Sequence, residues 1–199
     1  MRRDAPPALA EDRENGSVEP SRLAGALVRA GDLVDLRRHL PANRDAFIRW
    51  YGDREIAEML RHDLEPLTPI QARGYFDTII MPMSARGHCW AIHDHTTGTL
   101  IGSTALTDVN QITRSALFRI VIGEKAFWGG GRGTEATRLV VAEAFQQLGL
   151  ARVRLEVFAT NERARRAYAR VGFRETGQHT EWVPAKRYQL HVVEMEIVR

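Results

Sequence analysis

The run Ile122-Gly-Glu-Lys-Ala-Phe-Trp-Gly-Gly-Gly-Arg-Gly-Thr-Glu-Ala136 decides how the rest of this sequence is read. It holds five of the sixteen glycines, Gly123, Gly129, Gly130, Gly131 and Gly133, between an apolar stretch and an amphipathic one. Glycine lets a backbone turn through positive φ and approach a ligand closely. The helix that follows offers unpaired N–H groups and a partial positive charge, so the two together form a site for a diphosphate. A tight strand-to-helix turn needs only one or two glycines, so the cluster from Gly129 to Gly133 points to a bound anion. A Walker A loop is excluded because no lysine precedes Thr134. A dinucleotide fingerprint fits poorly, because Gly131-Arg-Gly133 continues as Thr134-Glu135-Ala136 and hairpin-like strands, not βαβ units, come before it.

Upstream of the glycines, Ala116 to Ile122 reads as a strand covered on both faces, interrupted only by Arg119. Cys89 to His93 and Leu100 to Leu106 flank the polar turn His95-Thr-Thr-Gly98 as a hairpin. Earlier still, two short β-like pieces flank Ala30-Gly31, and Pro41 opens a helix carrying Phe47, Ile48, Trp50 and Tyr51. Thr68-Pro-Ile-Gln71 starts another, with Thr68 as cap, Gln71 reaching back to it and Pro69 in the first turn. Downstream, a helix is expected from Thr134 to Leu148, then a strand through Val153, Leu155 and Val157. A second helix runs from Asn161 to its stop at Gly172, and β-like runs at Glu181 to Val183 and Tyr188 to Val198 close the chain.

At 199 residues, 44% hydrophobic and 27% charged, the chain suits one α/β domain over residues 26–199. Residues 1–25 lack apolar periodicity and are expected to be a disordered tail. No stretch approaches the ~20 apolar residues of a membrane span, and Asp4, Glu11 and Asp12 stand where a signal peptide has its apolar core. A cytoplasmic location is therefore expected. The lone Cys89 excludes an intramolecular disulfide and reads as a small buried hydrophobe. Twenty-eight basic residues, only two of them lysines, face 25 acids, and the formal charge is +3. That balance suits an anionic cofactor but lacks the basic run with interleaved aromatics that nucleic acid would need. Arg163, Arg165 and Arg166 read as a solvated helix face. His93-Asp94-His95 lacks a third ligand at sensible spacing, so it reads as a turn and no metal is expected. Glu135 sits well with the helix dipole and needs no catalytic role.

Four stretches carry a resemblance: Phe127-Trp-Gly-Gly-Gly-Arg-Gly-Thr-Glu-Ala136, Arg152-Val-Arg-Leu-Glu-Val157, Asn161-Glu-Arg-Ala-Arg-Arg-Ala-Tyr168 and Val171-Gly-Phe173. Their order and spacing resemble the GNAT superfamily of N-acetyltransferases over roughly residues 26–199, nearest to its ribosomal-protein alanine and spermidine N-acetyltransferases. The resemblance implies a mixed, mostly antiparallel sheet, splayed at the cofactor site and flanked by helices. It implies acetyl-coenzyme A as cosubstrate and a primary amine as acceptor, whether a protein N-terminus, a polyamine or a small molecule. The amine would attack the thioester directly in a ternary complex, and a homodimer is an option. The signature Q/R-x-x-G-x-G/A maps onto Trp128-Gly129-Gly130-Gly131-Arg132-Gly133 and, with Thr134, would bind the pyrophosphate. Val121, Ile122 and Gly123 would pair with the pantetheine arm, and one of their N–H groups would stabilise the oxyanion. Asn161 would hold the pantetheine amide and Tyr168 would protonate the leaving thiolate.

The alternatives to these family roles are an ordinary N-cap for Asn161 and a core aromatic for Tyr168. Two positions depart from the family pattern. Trp128 replaces Gln or Arg, and Leu117 stands where relatives often carry a glutamate base. Glu156, Asp108, His179 and Glu181, or a water chain, are then the candidates for that base. The Leu117 departure also motivates a rival reading, a non-catalytic acyl-coenzyme A binding or sensing module.

Overall fold

Two cores lie on opposite faces of one sheet in the computed structural model, which describes residues 24–199. The reason is visible in β3 (Cys89–Asp94) and β4 (Leu100–Asn110), where nearly every residue from Cys89 to Leu106 on the strands is buried. Successive side chains of a strand point to opposite faces. Cys89 and Ala105 thus join Phe47, Phe76 and Ile80 in one core, while Trp90 and Leu106 join Ala136, Val140 and Ala144 in the other.

The first core is roofed by α1 (Arg44–Tyr51), α3 (Pro69–Tyr75) and α4 (Met81–Arg86), with α2 (Arg54–Leu60) beside them. Thr68 and Gln71 form the expected capping box on α3. Between α3 and α4 the chain widens into one looser turn, Phe76–Ile80, in which Met81 donates to the Phe76 carbonyl. Pro82 follows at once and has no N–H to continue tight helical bonding. The second core is covered by α5 (Arg132–Gln146) and α6 (Glu162–Val171).

The sheet runs β1 (Leu27–Ala30), β2 (Val34–Arg37), β3, β4, β5 (Ser115–Ile122), β6 (Arg152–Phe158), β8 (Tyr188–Val198), β7 (Arg174–Val183). Every neighbour pair is antiparallel except β5 and β6. Those two run parallel and pair only at Ser115 with Arg152, Ala116 with Val153 and Leu117 with Arg154. Beyond Leu117 they part, so the sheet is mixed, mostly antiparallel and splayed, as the family resemblance implies.

Some bounds differ from expectation. α5 begins two residues before Thr134, because the glycine turn ends in a left-handed Gly131 that starts the helix directly. β7 begins at Arg174, not Glu181, because an edge strand exposing Arg174, Glu175 and Gln178 carries no apolar alternation to mark it. The helix α2 has no counterpart in the sequence reading, although Asp53 caps it by accepting the Ile56 N–H at 3.1 Å. The tail expected over residues 1–25 lies outside the described residues except for its last two. Among the described residues, no helix is long and apolar enough to cross a membrane.

Candidate functional site

The parting of β5 from β6 opens a cleft, and the glycine turn lies along it. Gly129, Gly130 and Gly131 all have positive φ, at 82°, 56° and 86°, a run that side-chain-bearing residues resist. A Cβ on Gly129 would meet nothing within 4 Å, so space lies beside the backbone there. Gly131 leads into α5 without a side-chain cap, and the first intrahelical bond runs from the Glu135 N–H to the Gly131 carbonyl. The N–H groups of the first turn therefore face outward at a helix N-terminus, the arrangement that receives anions.

Gly129, Gly130, Gly131, Gly133 and Thr134 line the cleft, and Arg132 does not. The Arg132 guanidinium binds the buried Asp94 carboxylate at 2.7 Å and lies over the Phe127 ring. Its side chain fastens the turn to the end of β3 and leaves only the main chain for a ligand. Glu135 is likewise structural, accepting the N–H groups of Asp32, Leu33 and Val34 at 2.6–3.1 Å.

Val121, Ile122 and Gly123 divide by direction. Gly123 gives its N–H to the Ile101 carbonyl at 2.8 Å, on the β4 side. Alternate residues of a strand turn their amides to alternate edges, so Val121 also faces β4, while Ile120 and Ile122 face the open edge. There the Ile122 carbonyl accepts the Trp128 indole N–H at 2.6 Å. Gly123 has a packing reason to be glycine, since a Cβ would fall 2.1 Å from the Trp50 ring.

Across the cleft, Tyr168 is half-buried, edge-on to Phe118 with centroids 6.1 Å apart, and burial pushes its phenol upward. It stays protonated at neutral pH and is a weaker acid than a free phenol. Asn161 caps α6, its side-chain oxygen accepting the Ala164 N–H at 3.2 Å, and lines the same cleft. For both residues the structural role and the place in the cleft coexist. Arg163 is exposed, as a solvated helix face implies, and its guanidinium also lies 4.1 Å from the Trp128 ring centroid, at the cleft. Arg165 and Arg166 do pair outward, with Glu175 and Glu162.

A second cavity of about 550 Å³ lies under α1, α3 and α4, walled by Tyr51, Tyr75, Met83 and Ser103 among others. Burial raises both phenols, so they act as neutral groups. The Ser103 hydroxyl contacts His39 at 3.0 Å, and burial lowers that imidazole to about 4. Cys89, also buried, is pushed up to about 12 and is no thiolate. The two cavities share Leu60, His62, Arg119, Ile120 and Val121.

Among the residues considered for a base, Glu156 lines the cleft, while Glu181 and His179 stand behind it. Asp108 and Leu117 line neither cavity. Leu117 holds the last paired position of β5 with β6, on the same sheet face as Arg119 and Val121. The histidines and acid of His93-Asp94-His95 bind separate partners: the Gly98 carbonyl, Arg132 and Asp35. Among the described residues, no group of three or more His, Cys, Asp and Glu is arranged to hold a metal ion.

Residues missed from the sequence are His62, Arg119 and Arg163. No local pattern marks them, because their partners are remote in the chain.

Comparison with known proteins agrees with this fold. The family described as acetyltransferase (GNAT) domain matches residues 34–174. A Bacillus subtilis protein named ribosomal N-acetyltransferase YdaF is 36% identical over 81 residues, 41% of this chain and 44% of that protein, so the match spans less than half of the relative's length. Among solved structures, a GNAT-family acetyltransferase from Bacillus anthracis superposes with a TM-score of 0.74 at 13% identity, over 87% of this chain and 98% of that one. The spermidine N-acetyltransferase of Vibrio cholerae, solved with CoA and spermine, gives 0.72 at 24% identity, over 84% and 96%. The ribosomal-protein-S5-alanine acetyltransferase of Vibrio fischeri gives 0.68 at 11%, over 85% and 95%.

Proposed function

Because the chain belongs to the GNAT acetyltransferase family, we propose that it transfers an acetyl group from acetyl-coenzyme A to a primary amine, with both held at once. The observation that carries the reading is the parting of β5 from β6 after Leu117, with three positive-φ glycines along one side and Tyr168 on the other. Phosphates fit the main chain of Gly129 to Thr134, since a Cβ at Gly129 would meet nothing within 4 Å and the α5 N-terminus lies behind the turn. Arg163 adds positive charge at the same mouth.

An extended amide-bearing arm fits the open edge of β5 at Ile120 and Ile122, on condition that the Trp128 indole yields the Ile122 carbonyl. When bound, acetyl-coenzyme A supplies the activated acyl carbon. The residues of this chain do the rest. An outward N–H of β5 stabilises negative charge on the carbonyl oxygen under attack, and Tyr168 gives a proton to the departing sulfur. The raised phenol delivers that proton only as thiolate basicity develops. The amine enters through the second cavity and meets the acyl group at the shared wall of His62, Arg119, Ile120 and Val121. The chain is expected to work in the cytoplasm.

The test is release of free thiol from acetyl-coenzyme A across a panel of polyamines, simple amines and N-terminal peptides. Turnover with at least one class is expected. Tight coenzyme A binding with no turnover on any acceptor would replace this reading with the binding-module one.

A further inference from the structure

His62 stands where the cofactor cleft and the second cavity meet, yet it belongs to neither the glycine turn nor the helix that carries Tyr168. It lies on the segment between α2 and α3, with Phe158 edge-on to its ring at 5.4 Å. Its Nδ1 is 2.6 Å from a Glu181 oxygen, whereas its Nε2 is 3.8 Å from Glu156, beyond hydrogen-bond reach. A carboxylate only accepts, so Nδ1 must carry the hydrogen. In the tautomer that donates from Nδ1, the Nε2 lone pair is uncommitted beside Glu156.

The neighbours fix this state. The other Glu181 oxygen lies 3.0 Å from His179 Nε2, and His179 Nδ1 lies 3.0 Å from Glu194. Both nitrogens of His179 face carboxylates, so both must donate and the ring is an imidazolium. The bond to Glu181 raises His179 accordingly, and the bonds to His62 and then His179, outweighing partial burial, hold the Glu181 carboxyl below its ordinary value. Glu181 therefore stays ionised, orients the His62 ring and offsets a positive charge developing on it, the role of the carboxylate in a hydrolase triad. The charged groups around His62 are Glu156 on β6, Glu181 and His179 on β7, Glu194 on β8, Arg119 on β5, and Arg61 with Asp63 on its own segment.

Resting on the acetyl-transfer reading, we infer that His62 Nε2 is the base that takes the proton from an aliphatic amine arriving as its ammonium ion beside Glu156. The N–H bond of the ammonium breaks, its electron pair becomes the nucleophile, and Nε2 gains the proton. Water takes that proton from the imidazolium after each turnover. Glu181 is a positioning residue.

The test uses the full chain with acetyl-coenzyme A and the best alkylamine of the panel. His62→Gln lowers kcat/KM at pH 7 by about 100-fold, while acetyl-coenzyme A affinity by calorimetry stays within about twofold. In the wild type, kcat/KM rises with pH and then levels off. In the variant it keeps climbing toward the pKa of the amine, and added imidazole restores part of the rate. Glu181→Gln removes the counter-charge and moves the wild-type limb to lower pH with a smaller loss.

Independently of activity, imidazole 15N NMR of the chain alone shows His62 protonated on Nδ1 and His179 doubly protonated at neutral pH. A His62 proton on Nε2, or an unchanged pH profile in His62→Gln, overturns the inference and leaves acetyl transfer standing. A wild type inactive on every amine overturns both. If His62→Gln does not fold, the NMR assignment and the Glu181→Gln profile decide.

Discussion

The cleft at the glycine turn and the second cavity are built in different ways. One wall of the cleft is a continuous stretch, Phe118 to Thr134, in which strand, turn and helix follow one another. The second cavity gathers side chains from α1, the end of α2 and the segment after it, α3, α4, β4 and β5, spread from Tyr51 to Val121. At its glycine turn the first presents main chain, whereas the second is walled by side chains such as Tyr51, Tyr75 and Met83. A backbone site tolerates changes of side chain but not of conformation, whereas a side-chain site is the reverse.

That contrast orders the tests. Gly131→Val forces a β-branched residue into φ 86°. It is expected to weaken coenzyme A by about 100-fold or more in calorimetry, and unchanged affinity would break the idea that the main chain does the binding. Tyr168→Phe should lower kcat by about 100-fold with coenzyme A affinity nearly intact; equal turnover would remove the phenol from the chemistry. Met83→Trp, on the wall of the second cavity, should raise the KM for the amine by roughly 10-fold and leave the coenzyme A constant alone. A shift in the coenzyme A constant would mean that the two spaces are not separate.

The smallest effect concerns the Arg132–Asp94 fastening. Burial alone would raise the Asp94 carboxyl, but bonds from Arg132 and Thr97 outweigh it and hold the group below the ordinary carboxylate value. A depressed carboxylate gives stability that is fully present above its unfolded value and is lost as pH falls through the folded one. The melting temperature should therefore be flat from pH 7 to 5 on this account and drop below about pH 4, and Asp94→Asn should remove that part of the drop.

The same contrast explains what the sequence made legible. Gly129 to Thr134, the Thr68 cap and the Asn161-to-Gly172 helix are local chemistry, and the structure has those elements where local rules put them. The sheet order and its parting follow from the resemblance, since no periodicity tells which strand neighbours which. His62 was invisible because Glu181, which orients it, is 119 residues away, and because α2, which delivers it, is a short helix. Leu117 shares a sheet face with Arg119 and Val121 but carries no titratable group, so the family pattern offers no base at that position. Arg163 is a surface cation, as its helix position implies, and only its remote partner, the Trp128 ring 4.1 Å away, brings it to the cleft.

The three-rung seam between β5 and β6 also limits what this protein could become. Each added rung would mend two severed backbone partners and narrow the mouth by the same stroke, so gains in sheet continuity and room for a ligand are opposed. An extended guest lying along Ile120 and Ile122 would act as a borrowed strand, splinting the two halves of the sheet while it is held.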